Sequence, residues 1–130
     1  MAAMEVRDAV EDDTDAVVEL TGLPSATARE LLHDRSVRVA TRGDGPIGVV
    51  VFDARPGAVH VTRLAGETDA MAQLLAEPVR FATREGMAVE LVVPAEAAAG
   101  EVAVAEGFTD VGAGPRFDGD RTRRFRLEPT

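Results

Sequence analysis

The sequence predicts an α/β (α+β) protein with a mixed, mostly antiparallel central sheet of about six or seven strands and about four flanking helices. Two observations carry this prediction. Short stretches of alternating apolar and polar residues recur along the chain, and segments with helical spacing separate them in the order β-α-α-β-β-β-α-β-α-β-β. With 130 residues, 45% of them hydrophobic, the chain is expected to form one domain over residues 1–130.

The N-terminal third begins with a strand and two helices. "MEVRDA" alternates as a strand, and "EDDTDAVVEL" places Ala16, Val17 and Leu20 on one helical face. Asp12 or Asp13 is the expected N-cap of this helix, and Ser25 the expected cap of the next one.

The middle third predicts a three-stranded meander. "SVRVAT" and "IGVVVF" form an antiparallel hairpin around the turn "RGDGP", and "AVHVTRLA" follows after the turn "RPG". A helix from Glu67 to Arg84 comes next and ends at Gly86. Pro78 lies inside it, and because a proline in an exposed helix interior costs about 3 kcal/mol, we expect a kink or break near Glu77.

The C-terminal third predicts strand, helix and hairpin. "AVELVVP" is a buried strand, and "AEAAAGEVAVAEG" is a helix weakened by Gly100. "FTDVGA" and "RTRRFRLE" are the last two strands, on either side of the turn-rich "GPRFDGD".

Composition excludes several kinds of site. The chain has no Cys and two His, so disulfides, a cysteine nucleophile and a multi-histidine metal site are excluded. No signal peptide and no apolar run of membrane-spanning length is present, which predicts a cytoplasmic location.

Charge is the most unusual feature of the composition. The net charge is −9, and all basic residues are Arg. Such a chain repels nucleic acids and anionic membranes, so neither is an expected partner. An acidic surface without lysine also suits a protein of concentrated salt, where self-repulsion is screened, and we therefore expect a halophilic source.

One basic cluster stands out in this acidic chain: Arg121, Arg123, Arg124 and Arg126. Alternation places Arg124 and Arg126 on one face of the last strand, opposite Phe125. The cluster could bind an anionic ligand, or meet the acidic surface of a second subunit in a homodimer. Pairing with carboxylates on the same surface is the favoured interpretation.

The order of the elements resembles the GNAT superfamily of N-acetyltransferases over essentially the whole chain. The similarity rests on "MEVRDAVEDDTDAVVEL", "VHVTRLAG", "VRFATREGMAVELVVP" and "AAAGEVAVAEGF". It implies that acetyl-CoA or another acyl-CoA lies between the splayed fourth and fifth strands, and that the loop opening the next helix binds the pyrophosphate. It further implies that no metal is bound. Five residues are expected to contact the cofactor: Thr62, Arg63, Leu64, Gly66 and Thr68.

The phosphate loop departs from the pattern R/Q-x-x-G-x-G/A of that family. "RLAGET" offers Arg63 and Gly66 but has Thr68 in place of a small residue. Counting back from Gly86 instead places Arg63 at the end of the fourth strand and predicts a shortened loop. Glu67 and Asp69 then bring negative charge to the pyrophosphate position, although acidic residues also stabilise the first turn of any helix.

The usual catalytic groups of the family are also replaced. Ala103 stands where a tyrosine would protonate the departing thiolate, and Glu96 where an Asn is frequent. The candidates for a general base are Glu90 and His60, each of which could instead be a structural residue, Glu90 as the partner of an Arg. His33 ends a short helix and is expected to complement its dipole.

Two functions follow from the resemblance. The first is a GNAT-like N-acyltransferase that acylates a small-molecule or peptide amine. The second is a non-catalytic GNAT-like module for dimerisation or small-ligand binding, which the altered loop and missing tyrosine favour. Fold alone does not decide between them.

Overall fold

Seven strands form one sheet in the computed structural model, which describes residues 3–116 and 119–129. The sheet order is β1-β2-β3-β4-β5-β7-β6, and β4 with β5 is its one parallel pair. The strands are β1 (Glu5–Asp8), β2 (Ser36–Arg42), β3 (Gly45–Arg55), β4 (Ala58–Gly66), β5 (Ala88–Pro94), β6 (Thr109–Ala113) and β7 (Thr122–Leu127). The predicted fold class is confirmed.

Four helices cover the two faces of this sheet: α1 (Thr14–Thr21), α2 (Ser25–Asp34), α3 (Thr68–Glu85) and α4 (Ala98–Ala105). The larger core lies under α3 and α4 and includes Leu74, Leu91 and Phe125. A smaller core joins α1 and α2 to β2 and β3 through Val17, Ala28 and their valines. The second face of β5 and β7 carries Glu90, Arg124 and Arg126. The predicted turn "GPRFDGD" includes residues 117 and 118, which lie outside the described residues.

Helix α3 runs without interruption through Pro78. The predicted break is therefore wrong, although proline still removes one hydrogen bond to the carbonyl of Leu74. Pro78 is fully buried in the core, so its packing offsets the lost bond. The helix ends as predicted at Gly86, which adopts a left-handed conformation with φ of 68°.

The two predicted N-caps are not formed. Asp13 precedes α1, but its carboxylate turns back to accept hydrogen bonds from the Val10 amide and from Arg7. Ser25 is the first residue of α2, with Pro24 in the capping position, and makes no side-chain cap. Residue type predicted the position of each helix start to within a residue, but tertiary partners decide where the side chains point.

Candidate functional site

Strands β4 and β5 pair along only part of their length. Ala58–Val61 faces Ala88–Leu91, and the pairing ends there. Beyond this point β4 continues to Gly66 beside β3, and β5 continues to Pro94 beside β7. The facing edges of Thr62–Gly66 and Val92–Pro94 have no strand partner in the described part of the chain. We call this opening the β4–β5 cleft; its backbone N–H and C=O groups are available to a ligand.

A β-bulge marks the point where the strands part. Val51 of β3 pairs with Arg63, whereas Phe52 pairs with Val61, so Thr62 is an extra residue in β4. The Thr62 hydroxyl lies 3.5 Å from the Val51 carbonyl. A bulge bends its strand and increases its twist, which accounts for the divergence from β5. The stretch "VTRLA" contains no glycine or proline, so no residue type in it indicates a bulge.

The two candidate bases lie directly before the cleft. His60 and Glu90 are register partners, one rung short of the last β4–β5 pair. Both side chains are half-buried, and both point away from α3 and α4 because Val59, Val61 and Leu91 fill the core on that side. The structure thus brings together the two candidates that the sequence named from separate strands.

Glu90 is held by two arginines of β7. Arg124 donates to one of its carboxylate oxygens at 3.0 Å, and Arg126 donates to the other at 3.1 Å. The hydrogen bond from Arg124, with the charges of Arg124 and Arg126, lowers the pKa of Glu90 despite its burial. Glu90 is therefore an ionised and weakly basic carboxylate at neutral pH.

The three arginines of the basic cluster that lie on β7 pair with nearby carboxylates, as the favoured interpretation predicted. Arg124 and Arg126 share Glu90, and Arg126 also contacts Glu128. Arg123 turns to the other face and contacts Asp110 of β6 at 2.8 Å.

The junction between β4 and α3 is a single residue, Glu67. Its amide donates to the Ile47 carbonyl at 3.0 Å, so strand-like bonding to β3 reaches the first residue before the helix. Gly66 adopts φ of +124°, and an added Cβ would lie 2.3 Å from the Ile47 carbonyl oxygen. The one glycine of "RLAGET" therefore serves the contact with β3, and no loop remains around the helix start.

Arg42 of β2 contacts both acidic residues at this junction. It donates to Glu67 at 2.9 Å and to Asp69 at 2.7 Å. The hydrogen bond from Arg42 lowers the pKa of Asp69, and the two carboxylates raise the pKa of Arg42. We call these three residues the Arg42 clamp.

A cavity of about 170 Å³ lies between α3 and α4, next to the end of β4. Small side chains of both helices leave this space, among them Ala72 and Ala105. Among the residues that the structure describes, its charged lining residues are Glu101 and Glu106, and none is basic.

The predicted cofactor residues lie in two places. Thr62, Arg63, Leu64 and Gly66 line the β4 edge of the cleft, and Thr68 lines the cavity between the helices. The side chain of Leu64 belongs to the core, whereas Arg63 is exposed and donates to the Thr62 carbonyl at 2.9 Å.

The residues that replace the usual catalytic groups differ in exposure. Ala103 is fully buried on α4. Glu96 is exposed and lines a cavity of about 630 Å³ beyond the end of β5, together with Arg121 and Arg123.

Among residues 3–116 and 119–129, no helix is both long and apolar enough to cross a bilayer.

Comparison with solved structures identifies the architecture. A protein assigned to the GNAT acetyltransferases of Desulfovibrio desulfuricans is 22% identical and superimposes with a TM-score of 0.77, over 97% of this chain and 99% of that one. The ribosomal-protein-S18-alanine N-acetyltransferase of Escherichia coli is 14% identical, with a TM-score of 0.76 over 96% and 93% of the two chains.

A third structure contains a ligand. The paia N-acetyltransferase of Thermoplasma acidophilum, in complex with coenzyme A, is 13% identical with a TM-score of 0.72, over 96% of this chain and 99% of that one. No protein-family model matches the sequence, and no curated protein matches it. The element order, the parting of β4 from β5 and these superpositions agree: the chain has the fold of the GNAT acetyltransferases.

Proposed function

We propose that the chain is an N-acyltransferase that transfers an acyl group from a thioester in the β4–β5 cleft to an amine. The observation that carries this proposal is the cleft itself, with a candidate base at its closed end. The likeness to the coenzyme A complex supports a donor of the acyl-CoA type.

The cleft suits the acyl-pantetheine arm of such a donor. That arm is narrow and carries two amides, and the cleft offers unpaired backbone N–H and C=O groups on both sides. A bound thioester supplies an acyl group that is already activated toward amines. The start of α3 suits the diphosphate of such a donor less well, because the carboxylates of Glu67 and Asp69 lie around it.

In the proposed reaction, His60 accepts the proton of the amine and Glu90 stabilises the charge that results. The amine nitrogen attacks the thioester carbonyl carbon and forms the C–N bond, the C–S bond breaks so that the donor leaves as a thiolate, and the attacking nitrogen loses one proton. His60 accepts that proton in this proposal, since Glu90 is committed to Arg124 and Arg126. The negative charge of Glu90 on the next strand would stabilise the imidazolium that forms.

The test is a thiol-release assay with acetyl-CoA and a panel of small-molecule and peptide amines. His60→Asn should lower kcat/KM by about 100-fold, the usual size of a lost general base. His33→Asn is the matched control, because His33 is exposed on α2, and it should leave the rate unchanged. Equal rates in wild type and His60→Asn would exclude this role of His60.

A second candidate function is a GNAT-like module without catalysis, for dimerisation or binding of a small ligand. The ion pairs that hold Glu90 and the buried Ala103 at the tyrosine position favour it. Binding of a thioester by calorimetry without thiol release for any amine would support this second function. The homodimer and the cytoplasmic location stay predictions.

A further inference from the structure

We infer that the acyl donor is recognised through its thioester and pantetheine arm and not through a nucleotide diphosphate, because the Arg42 clamp occupies the start of α3. This inference rests on the proposed function and narrows its donor class. Any thioester with a pantetheine-like arm would then serve, whether or not a nucleotide follows.

The backbone at the junction gives a diphosphate little to hold. Binding an anion at a helix start requires a loop whose N–H groups can surround it, with glycines that allow close approach. Here Glu67 alone separates β4 from α3, and its N–H group is bonded to Ile47. Gly66 is pressed against β3 and cannot turn toward a ligand without losing that contact.

One further amide at the helix start faces a carboxylate of its own turn. The Ala70 amide donates to the side chain of Asp69 at 3.0 Å. Asp69 and Glu67 lie around the positive end of the helix dipole, where they replace an external anion. Arg42 could otherwise attract phosphate, but both of its terminal nitrogens are engaged by the same two carboxylates.

The neighbouring cavity adds to this negative field. Thr68 joins the helix start to the cavity between α3 and α4, whose charged lining residues are Glu101 and Glu106. Four carboxylates and one guanidinium thus surround the approach to the cleft from the helix side. A diphosphate would be repelled there, whereas an uncharged pantetheine arm would not.

The experiment compares two thioesters by titration calorimetry: acetyl-CoA and S-acetyl-pantetheine. The wild-type protein should bind them with Kd values within about threefold of each other. The variant Glu67→Gln/Asp69→Asn should bind acetyl-CoA about tenfold more tightly or better, because two repelling charges are removed and Arg42 is freed. Its affinity for S-acetyl-pantetheine should not change.

Two further variants make the result specific. Asp15→Asn/Glu19→Gln removes the same amount of charge from exposed positions of α1 and should leave the ratio of the two Kd values unchanged. Arg42→Gln should weaken the binding of acetyl-CoA but not that of S-acetyl-pantetheine, because the carboxylates lose their counter-charge. Circular dichroism confirms that each variant is folded.

The outcomes separate this inference from the proposed function. A wild-type preference for acetyl-CoA above about tenfold, or no gain in the Glu67→Gln/Asp69→Asn variant, would overturn the inference and leave the acyltransferase proposal standing. If neither thioester binds to any variant, the proposed function itself is wrong.

Discussion

Asp13 shows how one buried charge connects the first strand to the first helix. Its side chain is 7% exposed and accepts two hydrogen bonds from Arg7 of β1, at 2.7 and 2.9 Å. The Val10 amide donates a third at 2.8 Å. Because both carboxylate oxygens accept hydrogen bonds, the buried carboxylate is stable where it lies.

We expect Asp13→Asn to lower the free energy of unfolding by about 2 kcal/mol. The amide cannot accept both bonds from Arg7, and breaking a fully buried pair would cost more than this partly exposed one. Urea unfolding measures the change. Asp12→Asn is the control, since Asp12 is the exposed neighbour in the same turn, and a loss of equal size there would contradict the assignment.

The pH dependence gives the same prediction a second readout. The hydrogen bonds from Arg7 hold the pKa of Asp13 below its ordinary value, which is near 4. A lowered folded-state pKa contributes stability that is full above that ordinary value and is lost as the pH falls through the folded pKa. The gap between wild type and Asp13→Asn should therefore be constant near pH 7 and shrink below about pH 4. A gap that is independent of pH would show that the charge is not its source.

Glu90 shows that residue type alone does not determine the partners of a side chain. Its alternation with Val89 and Leu91 predicted the correct face, but the residue type allowed both a general base and the partner of an Arg. The register of β5 against β7, which places Arg126 opposite and Arg124 nearby, decides its present partners. Register depends on pairings between distant segments, so no local pattern could supply it.

At the scale of elements, Gly66 is where β3, β4 and α3 meet. Gly66→Ala should lower the free energy of unfolding by about 3 kcal/mol or more, because the new Cβ would overlap the Ile47 carbonyl and the φ is unfavourable. Gly57→Ala is the matched control: its φ is also positive, at +86°, but an added Cβ meets nothing within 4 Å.

The control separates overlap from backbone strain. Gly57→Ala should cost only about 1 kcal/mol, the penalty of a left-handed conformation. Chemical denaturation of both variants gives the two values side by side. If they prove equal, close packing against β3 does not explain why glycine stands at the end of β4.

The order and type of the elements could be predicted because burial imposes a period of two on strands and of 3.6 on helices. The short junction before α3 could also be predicted, by counting residues back from Gly86. The bulge at Thr62 could not, because it arises from pairing with β3. The break predicted near Glu77 was wrong because the burial of Pro78 in the core outweighs the hydrogen bond that proline removes from α3.

At the scale of the whole molecule, the cleft depends on elements far apart in sequence. Strand β4 brings the bulge, β5 brings the opposite edge, and β2 brings Arg42 across β3 to the start of α3. The parting of the strands and the Arg42 clamp are therefore separate features of one sheet. In our proposals the two features have separate roles: the cleft would hold a thioester, and the start of α3 would not bind a diphosphate.

The net charge of −9 sets up the last prediction, which concerns salt. Salt weakens the ion pairs, but most are exposed, and exposed pairs contribute only about 0–1 kcal/mol each. Salt also screens the repulsion among unbalanced carboxylates, which acts over the whole surface. Since acidic residues outnumber basic ones by 23 to 14, the second effect should prevail, and the Tm should rise by about 5 °C or more between 0.1 and 2 M KCl.

Neutralising exposed carboxylates tests the cause of this rise. Asp12→Asn, Asp15→Asn, Glu19→Gln and Glu30→Gln together remove four negative charges from one side of the molecule, at exposed positions. The combined variant should have a higher Tm than wild type in 0.1 M KCl and a smaller increase with salt, because less repulsion remains to be screened. Thermal unfolding followed by circular dichroism measures both. A Tm that stays flat or falls with KCl in the wild type would mean that ion pairs outweigh repulsion, and the interpretation of the acidic, lysine-free surface as a halophilic one would then be wrong.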